Sequence, residues 1–305
     1  MKVSIGYPLL RHPADPAFTA PEFLADFARV AEECGFDGVN LTEHPIPGDK
    51  WLAAGGHHAL DPFVGLAVAA TVTTRVRLMT NLTVLPYRNP FLLAKSVASL
   101  DRVSGGRVTL GVGTGYLKPE FFALGVDFEE RNDLFDEAIA VCRQAWSGGS
   151  VTYEGRHFSA RGNSVQPTPV QDPLPIWIGG NAALTRQRVA TVAQGWMPMW
   201  NPREFAATRR SPVLETLEDF AAMLADVRAR AEAAGRTEPL DVMFMPLDPA
   251  LPGSPDWDAD RHLTALRAQA DLGVTWVQLT AQGDTPAAVL DQVRSYADTV
   301  VGALR

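Results

Sequence analysis

Residues 76–115 read VRLMTNLTVLPYRNP, FLLAKSVASLDRVSGG and RVTLGVGTG, a pattern that predicts a β-strand, an α-helix and a second β-strand. Neither strand segment alternates strictly between polar and apolar residues. Continuous apolar runs of this kind are typical of parallel strands that are covered on both faces. Each strand runs into a turn rich in Gly, Asn or Pro. Parallel α/β sheets carry their chemistry at that end of the strands, so we expect functional residues there.

The same alternation recurs about eight times along the 305 residues. Eight strands and eight helices close most economically as a (β/α)8 TIM barrel, and one domain over 1–305 is the simplest expectation. An open doubly wound sheet is the alternative, although no GxGxxG motif follows the first strand. The predicted strands are 3–9, 38–42, 76–85, 108–112, 175–178, 196–199, 240–245 and 276–280. The predicted helices include 61–73, 131–146, 183–194, 212–234, 259–272 and 286–304.

Several connections after strands are long, and they define where insertions are expected. Residues 148–172 show no helical period and are predicted to insert at the C-terminal face of the barrel, as a hairpin in one interpretation. Loops 10–20, 45–60 and 201–211 also follow strand ends. We expect these loops to shape the pocket for a small organic substrate.

Composition excludes several classes of function. A formal net charge of -8 argues against nucleic-acid binding, which needs a basic surface. No apolar run approaches the ~18 residues of a membrane helix, and residues 1–13 lack a secretory pattern, so a cytoplasmic location is expected. Cys34 and Cys142 lie in helical patterns and are predicted to be reduced thiols. No residues have metal-ligand spacing, so no metal is expected. His157 and His262 are predicted to lie at the surface.

The segments LPYRNP, LAK, LDRVSGGR and LGVGTGY, in that order, resemble the bacterial luciferase-like family of barrel oxidoreductases. The resemblance implies a (β/α)8 barrel that uses either coenzyme F420 or FMN. It also implies a homodimer, for which Ala- and Leu-rich helices at 62–73 and 92–100 could supply an apolar interface. A monomer remains the alternative.

The second predicted strand ends in Glu43 and His44, which places a carboxylate and an imidazole side by side. A histidine can take or give a proton near neutral pH, although such a pair can also serve packing alone. The resemblance implies that the pair lies against the cofactor ring and takes part in catalysis. Similar F420-dependent sugar-phosphate dehydrogenases carry a glutamate where this chain has Tyr116. Tyr116 is therefore a candidate proton donor or ring neighbour.

Three further groups of residues are candidates for binding the cofactor. The resemblance implies a cis peptide between Asn81 and Leu82, behind the cofactor ring. Missing β-carbons in the turn after the fourth strand let a flat ring or its chain approach the backbone. Backbone N–H groups after the fifth strand open a helix, where an anion such as a cofactor phosphate is favoured. An ordinary strand-to-helix turn is the alternative for this last group, and the binding role is preferred. The candidates are Asn81, Leu82, Thr83, Gly113, Thr114, Gly115, Gly179, Gly180 and Asn181.

Three activities are consistent with these residues. The first is F420-dependent hydride transfer to or from a small organic substrate, and the second is an FMNH2-dependent monooxygenase that uses O2. The third is a flavin-binding protein without turnover, which the retention of all eight repeats and of Glu43 and His44 disfavours. GGHHALDPF (55–63) and LPYRNP (85–90) look most like the F420-dependent branch, so F420 is the preferred cofactor and FMN the alternative.

Overall fold

The computed structural model describes residues 1–209 and 211–305, so Arg210, in the predicted loop 201–211, lies outside the described residues. The fold is α/β: eight parallel strands form a closed barrel with flanking helices, which confirms the predicted (β/α)8 fold. The strands are β1 (Lys2–Gly6), β2 (Leu10–Arg11), β3 (Gly38–Leu41), β4 (His57–His58), β5 (Arg77–Thr80), β6 (Thr83–Val84), β7 (Val108–Gly113), β8 (Val151–Glu154), β9 (Ser159–Asn163), β10 (Ile176–Gly179), β11 (Gly195–Met197), β12 (Asp241–Phe244) and β13 (Trp276–Thr280). The barrel contains β1, β3, β5 continued by β6, β7, β10, β11, β12 and β13, whereas β2 with β4 and β8 with β9 form separate two-stranded sheets. The helices are α1 (Pro21–Glu33), α2 (Asp49–Ala53), α3 (Pro62–Val72), α4 (Pro90–Ser104), α5 (Lys118–Ala123), α6 (Arg131–Trp146), α7 (Ala183–Val192), α8 (Arg203–Arg209), α9 (Leu217–Ala233), α10 (Ala259–Leu272) and α11 (Pro286–Tyr296).

The chain folds into two compact units. Unit 1 comprises Met1–Pro8, Asp26–Asn40 and Pro175–Arg305, and unit 2 comprises Leu9–Ala25 and Leu41–Leu174. Each unit has its own apolar interior. The expectation of one domain over residues 1–305 stays a prediction.

Unit 1 contains the parallel strands from the two ends of the chain. Strand β1 pairs with β13 and with β3, and β10, β11, β12 and β13 pair in succession. The rings of Trp196, Phe220 and Phe244 stack in series, with centroids 6.1 and 5.1 Å apart. All three side chains are fully buried, so they form a large part of the apolar interior of this unit.

Unit 2 contains the strands and helices of the segment that first indicated the fold. Strand β7 pairs in parallel with β5 and with β6. Asp61 and Asn89 each accept backbone N–H groups at the start of α3 and α4, and a proline follows each cap. Gly105, with φ +70°, ends α4 in the left-handed conformation. Strands β8 and β9 form the antiparallel hairpin predicted within residues 148–172.

The structure corrects several predicted boundaries. The predicted strand 76–85 is interrupted between β5 and β6, where the Asn81–Leu82 peptide is cis. The predicted helix 212–234 begins only at Leu217, because Thr216 and Asp219 form a capping box that fixes its start. The predicted loop 201–211 contains the short helix α8.

The surface position predicted for His262 was wrong, whereas His157 is partly exposed. His262 is fully buried, and its Nε2 lies 3.0 Å from the Tyr296 hydroxyl. His157 is half-buried between the carboxylates of Glu130, which precedes α6, and Glu137 of α6. Patterns of hydrophobicity do not reveal such positions, because a histidine with a hydrogen-bond partner can be buried.

Within residues 1–209 and 211–305, no helix combines the length and the apolar character that crossing a membrane requires.

Candidate active site

Glu43 follows β3 in unit 2 and is buried, with both carboxylate oxygens hydrogen-bonded. Its Oε2 accepts the backbone N–H of Val84 at 2.7 Å, and its Oε1 accepts from Arg88 Nε at 2.9 Å. Arg88 also donates to Asp61 Oδ2 at 2.6 Å. Burial raises the pKa of Glu43, although Arg88 and the Val84 N–H oppose that rise. Glu43 therefore ties the end of β3 to β6 and to the start of α3.

His44, the next residue, faces a different carboxylate. Its Nδ1 lies 3.3 Å from Oε1 and 3.4 Å from Oε2 of Glu120, which are long hydrogen-bonding distances. The His44 side chain is 9% exposed and that of Glu120 is 1% exposed. Glu120 lies in α5, just after the turn that follows β7. Since the turns after β3 and β7 both belong to unit 2, this unit alone assembles the pair.

Sequence reasoning did not identify Glu120 as a functional residue. Its Oε2 also accepts the Tyr87 hydroxyl at 3.0 Å. Burial, and next the neighbouring Glu120 carboxylate, raise the pKa of Tyr87, so its hydroxyl keeps its proton and donates. The one signal in the sequence was a glutamate four residues beyond Tyr116, shortly after a glycine-rich turn. A sequence cannot show which histidine such a glutamate meets.

Aromatic rings surround His44 on its other sides. The Trp51 ring centroid lies 4.6 Å away and that of His57 lies 4.9 Å away. Tyr116, the predicted proton donor, is edge-on at 6.4 Å and about half exposed. Burial lowers the pKa of His57, which favours its neutral form near pH 7. The predicted loop 45–60 contributes His57 and His58 to strand β4, which pairs with β2.

The predicted cofactor residues Asn81, Leu82 and Thr83 lie at the junction between β5 and β6. The cis peptide expected between Asn81 and Leu82 is confirmed. Thr83 Oγ1 is buried and has no hydrogen-bond partner within the described parts of the chain, residues 1–209 and 211–305. A buried hydroxyl without a partner costs about 1–3 kcal/mol, so a bound group that completes its hydrogen bonding would fit here.

Gly113 and Gly115 flank Thr114 after β7, and both are needed for packing within the protein. A β-carbon at Gly113 would lie 2.8 Å from Leu82 Cδ1. At Gly115, where φ is +78°, it would lie 2.7 Å from Val84 Cγ1 and 2.9 Å from the Phe121 ring. Side chains of the protein itself therefore lie close to the backbone of this turn, where the missing β-carbons leave room. An approach by a cofactor stays a prediction.

Gly179, Gly180 and Asn181 lie in unit 1, at the end of β10 and before α7. The Gly180 N–H donates to the Met197 carbonyl at 3.0 Å, so this group is already engaged. The Asn181 side chain donates to the Met199 carbonyl and accepts the Met199 N–H, at 2.7 and 2.9 Å. Ala182 caps α7 without a side-chain hydrogen bond, which leaves the N–H groups of the first helical turn for an anion.

Arg186 of α7 contacts the turn that precedes this helix. Its Nε donates to Asp226 Oδ2 at 2.5 Å, and its guanidinium also contacts the carbonyl of Asn181. These contacts of Arg186 stabilise the turn that contains Gly180 and Asn181. In the part of the chain that the structure describes, no group of three or more His, Cys, Asp or Glu side chains is arranged to hold a metal ion.

The parallel barrel, with polar side chains on the turns after its strands, defines the class of α/β-barrel proteins whose sites lie at strand ends. The sequence model of the luciferase-like monooxygenase family matches residues 3–271. This chain therefore belongs to the luciferase-like monooxygenase family.

Two relatives are named F420-dependent glucose-6-phosphate dehydrogenase. The protein from Microbacterium testaceum is 34% identical over 181 residues, which cover 58% of this chain and 52% of that protein. The protein from Nakamurella multipartita is 29% identical over 303 residues, which cover 86% of this chain and 87% of that protein. The match thus spans about half the length of the first relative and most of the second.

A solved structure with a similar fold is that of the monooxygenase RslO1 from Streptomyces bottropensis. It has a TM-score of 0.79 and 23% sequence identity, and the match covers all of both chains. At this level of identity the likeness establishes the fold.

Proposed function

We propose that this protein is an oxidoreductase that moves a hydride between coenzyme F420 and a small organic substrate, with His44 exchanging the substrate proton. The observation that carries this proposal is the hydrogen bonding of His44. Its Nδ1 lies against the buried carboxylate of Glu120, whereas its Nε2 has no hydrogen-bond partner within residues 1–209 and 211–305. An imidazole held at one nitrogen and open at the other is suited to general acid–base catalysis.

The names of two relatives support F420 as the cofactor. The buried hydroxyl of Thr83 supports the binding of a group that completes its hydrogen bonding. When bound, the deazaflavin supplies a carbon that accepts or donates a hydride. The residues proposed to hold it in unit 2 are Asn81, Leu82, Thr83, Gly113, Thr114 and Gly115. Gly179, Gly180 and Asn181 of unit 1 stay proposed binding residues, because their turn leads into the N–H groups of α7, which favour an anion such as a phosphate.

Glu43, His44 and Tyr116 were predicted together as catalytic residues, and we propose different tasks for them. Both oxygens of Glu43 accept hydrogen bonds from Val84 and Arg88, which supports a role in holding β6 in place. His44 is the proposed proton carrier. Tyr116, half exposed beside it, stays a candidate ring neighbour or proton donor.

A flavin-dependent monooxygenase is the second candidate. The family match and the similarity in fold to a monooxygenase favour it. In that case FMN would replace F420, and O2 would be consumed. The same enclosed surroundings of His44, bordered by Trp51 and His57, would then serve to exclude water from the reaction.

Cofactor binding distinguishes the two candidates. The purified protein would be titrated with F420 and separately with FMN, each oxidised and reduced, while cofactor fluorescence is followed. Micromolar affinity for F420 together with weak FMN binding would support hydride transfer. Tightest binding of reduced FMN, with O2 uptake, would support the monooxygenase. If neither cofactor binds, both candidates fail. Glucose 6-phosphate, which the names of two relatives contain, would serve as the first probe of turnover.

The predicted homodimer and cytoplasmic location stay predictions. Exposed apolar side chains on α3 and α4 support an interface: Val64 is 66% exposed, Leu92 70% and Val103 61%. Apolar residues at such exposure are favourable contacts between subunits. Light scattering of the purified protein during size-exclusion chromatography would give the mass that decides between monomer and dimer.

A further inference from the structure

We propose that Glu120 positions His44 for proton transfer: its carboxylate holds the imidazole as the Nδ1–H tautomer and leaves Nε2 to exchange the proton of the substrate. This inference rests on the proposed function and deepens it. It assigns a role to a residue that no motif in the sequence marked. Tyr87, which donates to the same carboxylate, is assigned as the second positioning residue.

The hydrogen bonds of Glu120 support this role. The carboxylate is 1% exposed, and its partners are the imidazole of His44 and the hydroxyl of Tyr87. No Lys or Arg of residues 1–209 and 211–305 lies within ion-pair distance of it. A carboxylate buried without a cation is costly, and such groups are retained where they are hydrogen-bonded and have a function.

The other groups around His44 do not offer this contact. Glu43 directs its oxygens to Val84 and Arg88. His57 faces the His44 ring edge-on and directs its own Nδ1 to the His58 carbonyl, at 3.1 Å. Trp51 and Tyr116 contact the imidazole through their rings. Among these neighbours, Glu120 is the hydrogen-bonded partner of Nδ1.

In the oxidation of an alcohol substrate, His44 Nε2 would accept the hydroxyl proton. Bound oxidised F420 would supply the acceptor for the hydride from the carbinol carbon, so that the alcohol would become a carbonyl compound and both the proton and the electron pair would be accounted for. The imidazolium that forms keeps Nδ1–H directed at the Glu120 carboxylate, which stabilises the new charge without taking the proton. In the reverse direction Nε2–H returns its proton to the carbonyl oxygen.

Histidine tautomers can be measured directly, without turnover, by ¹⁵N NMR of protein labelled at histidine. The signals of His44 would be assigned as those that disappear in His44→Ala. We expect the Nδ1–H tautomer of His44 in the wild type and a shift to Nε2–H in Glu120→Leu. Glu120→Gln, which keeps the shape, should give a mixture. Glu137→Gln is the matched control, because Glu137 pairs with His157 at 3.0 Å and outside this site.

Turnover provides the second readout. We expect Glu120→Leu to lower kcat about 10²-fold with KM within a few-fold, and Tyr87→Phe to lower it several-fold, because the imidazole is no longer oriented. Glu137→Gln should leave kcat unchanged. An unchanged His44 tautomer in Glu120→Leu and Glu120→Gln would overturn the proposal, as would unchanged kcat in both. If Glu120→Leu does not fold, the His44 tautomer and kcat of Glu120→Gln and Tyr87→Phe test the proposal in its place.

The cofactor titration separates this proposal from the proposed function. Absence of F420 binding by the wild type would refute the proposed function, whereas the tautomer of His44 would still report on Glu120. Normal F420 binding with unaltered tautomers would refute the role of Glu120 and leave the proposed function intact.

Discussion

The carboxylate of Glu43 accepts the backbone N–H of Val84 at 2.7 Å, across 41 residues of sequence. The contact joins the end of β3 to the short strand β6, directly after the Asn81–Leu82 peptide. Because Arg88 engages the other carboxylate oxygen, one buried side chain fixes both the strand and the loop that follows it. Glu43 therefore has a structural role in holding β6 and the following loop, in addition to lying next to His44 in the sequence.

Replacement of Glu43 by Ala is expected to lower the free energy of unfolding by about 2 kcal/mol, since the buried Val84 N–H would lose its acceptor. Glu43→Gln keeps an acceptor for that N–H and should be less destabilising. Urea unfolding of both variants measures the difference. Equal stability of Glu43→Ala and wild type would contradict the structural role.

Replacement of His44 by Ala is expected to reduce turnover about 10²-fold or more, because the proposed proton carrier is removed. The affinity for F420 should stay within a few-fold, as the Asn81, Leu82 and Thr83 segment is untouched. Steady-state kinetics and fluorescence titration check the two quantities separately. Undiminished turnover would remove His44 from the mechanism.

Thr83→Val tests whether the buried hydroxyl of Thr83 serves a ligand. The unbound protein should be as stable as the wild type or about 1 kcal/mol more stable, since an unpaired polar atom is removed. Affinity for F420 should fall about tenfold, equivalent to about 1.4 kcal/mol. Thr80→Val is the control, because Thr80 Oγ1 donates to the Gly111 carbonyl at 2.6 Å and its loss should destabilise the protein. Unaltered F420 affinity in Thr83→Val would show that the hydroxyl does not contact the cofactor.

Gly115→Ala should destabilise the protein more than Gly125→Ala. Both glycines have positive φ, +78° and +69°, so each substitution costs about 1–2 kcal/mol of backbone strain. Only at Gly115 would the β-carbon also collide with Val84 and Phe121, adding about 1–3 kcal/mol, since nothing lies within 4 Å at Gly125. Urea unfolding of the two variants measures the difference. Equal losses would mean that the packing around Gly115 adjusts freely.

The attachment of the β8–β9 hairpin to α6 is expected to weaken as pH rises. Burial lowers the pKa of His157, but hydrogen bonds to Glu130 and Glu137 outweigh it and raise that pKa above 6.5. The stabilisation is therefore complete below pH 6.5 and is lost as pH rises through the raised pKa. Amide hydrogen exchange in the hairpin, measured across this range and corrected for its intrinsic pH dependence, should report the opening. In His157→Gln the pH dependence should disappear, whereas its persistence would show that His157 does not control the opening.

Sequence patterns located some elements to the residue and others less well. The predicted bounds of α6 and α10 agree with the structure, and for α10 the reason is local: Asp258 caps its start and Gly273 ends it with φ +114°. The start of α9 was placed five residues early, although its capping box at Thr216 was readable. The interruption between β5 and β6 has no such local signal in hydrophobicity, since the residues on both sides remain strand-like.

The sequence by itself determined the fold class, the family and the positions of Glu43, His44 and Tyr116 at strand ends. Hydrophobic periodicity, caps and glycine turns act between residues close in the chain, so they indicate the fold class and the strand ends. The family followed from the resemblance of motifs such as LPYRNP and LGVGTGY. Only the tertiary structure decided which residues Glu43 and His44 contact. Glu43 joins Val84 and Arg88, whereas His44 meets Glu120, 76 residues away. A hydrogen bond depends on distances of about 3 Å between atoms, and folding alone brings such distant residues that close.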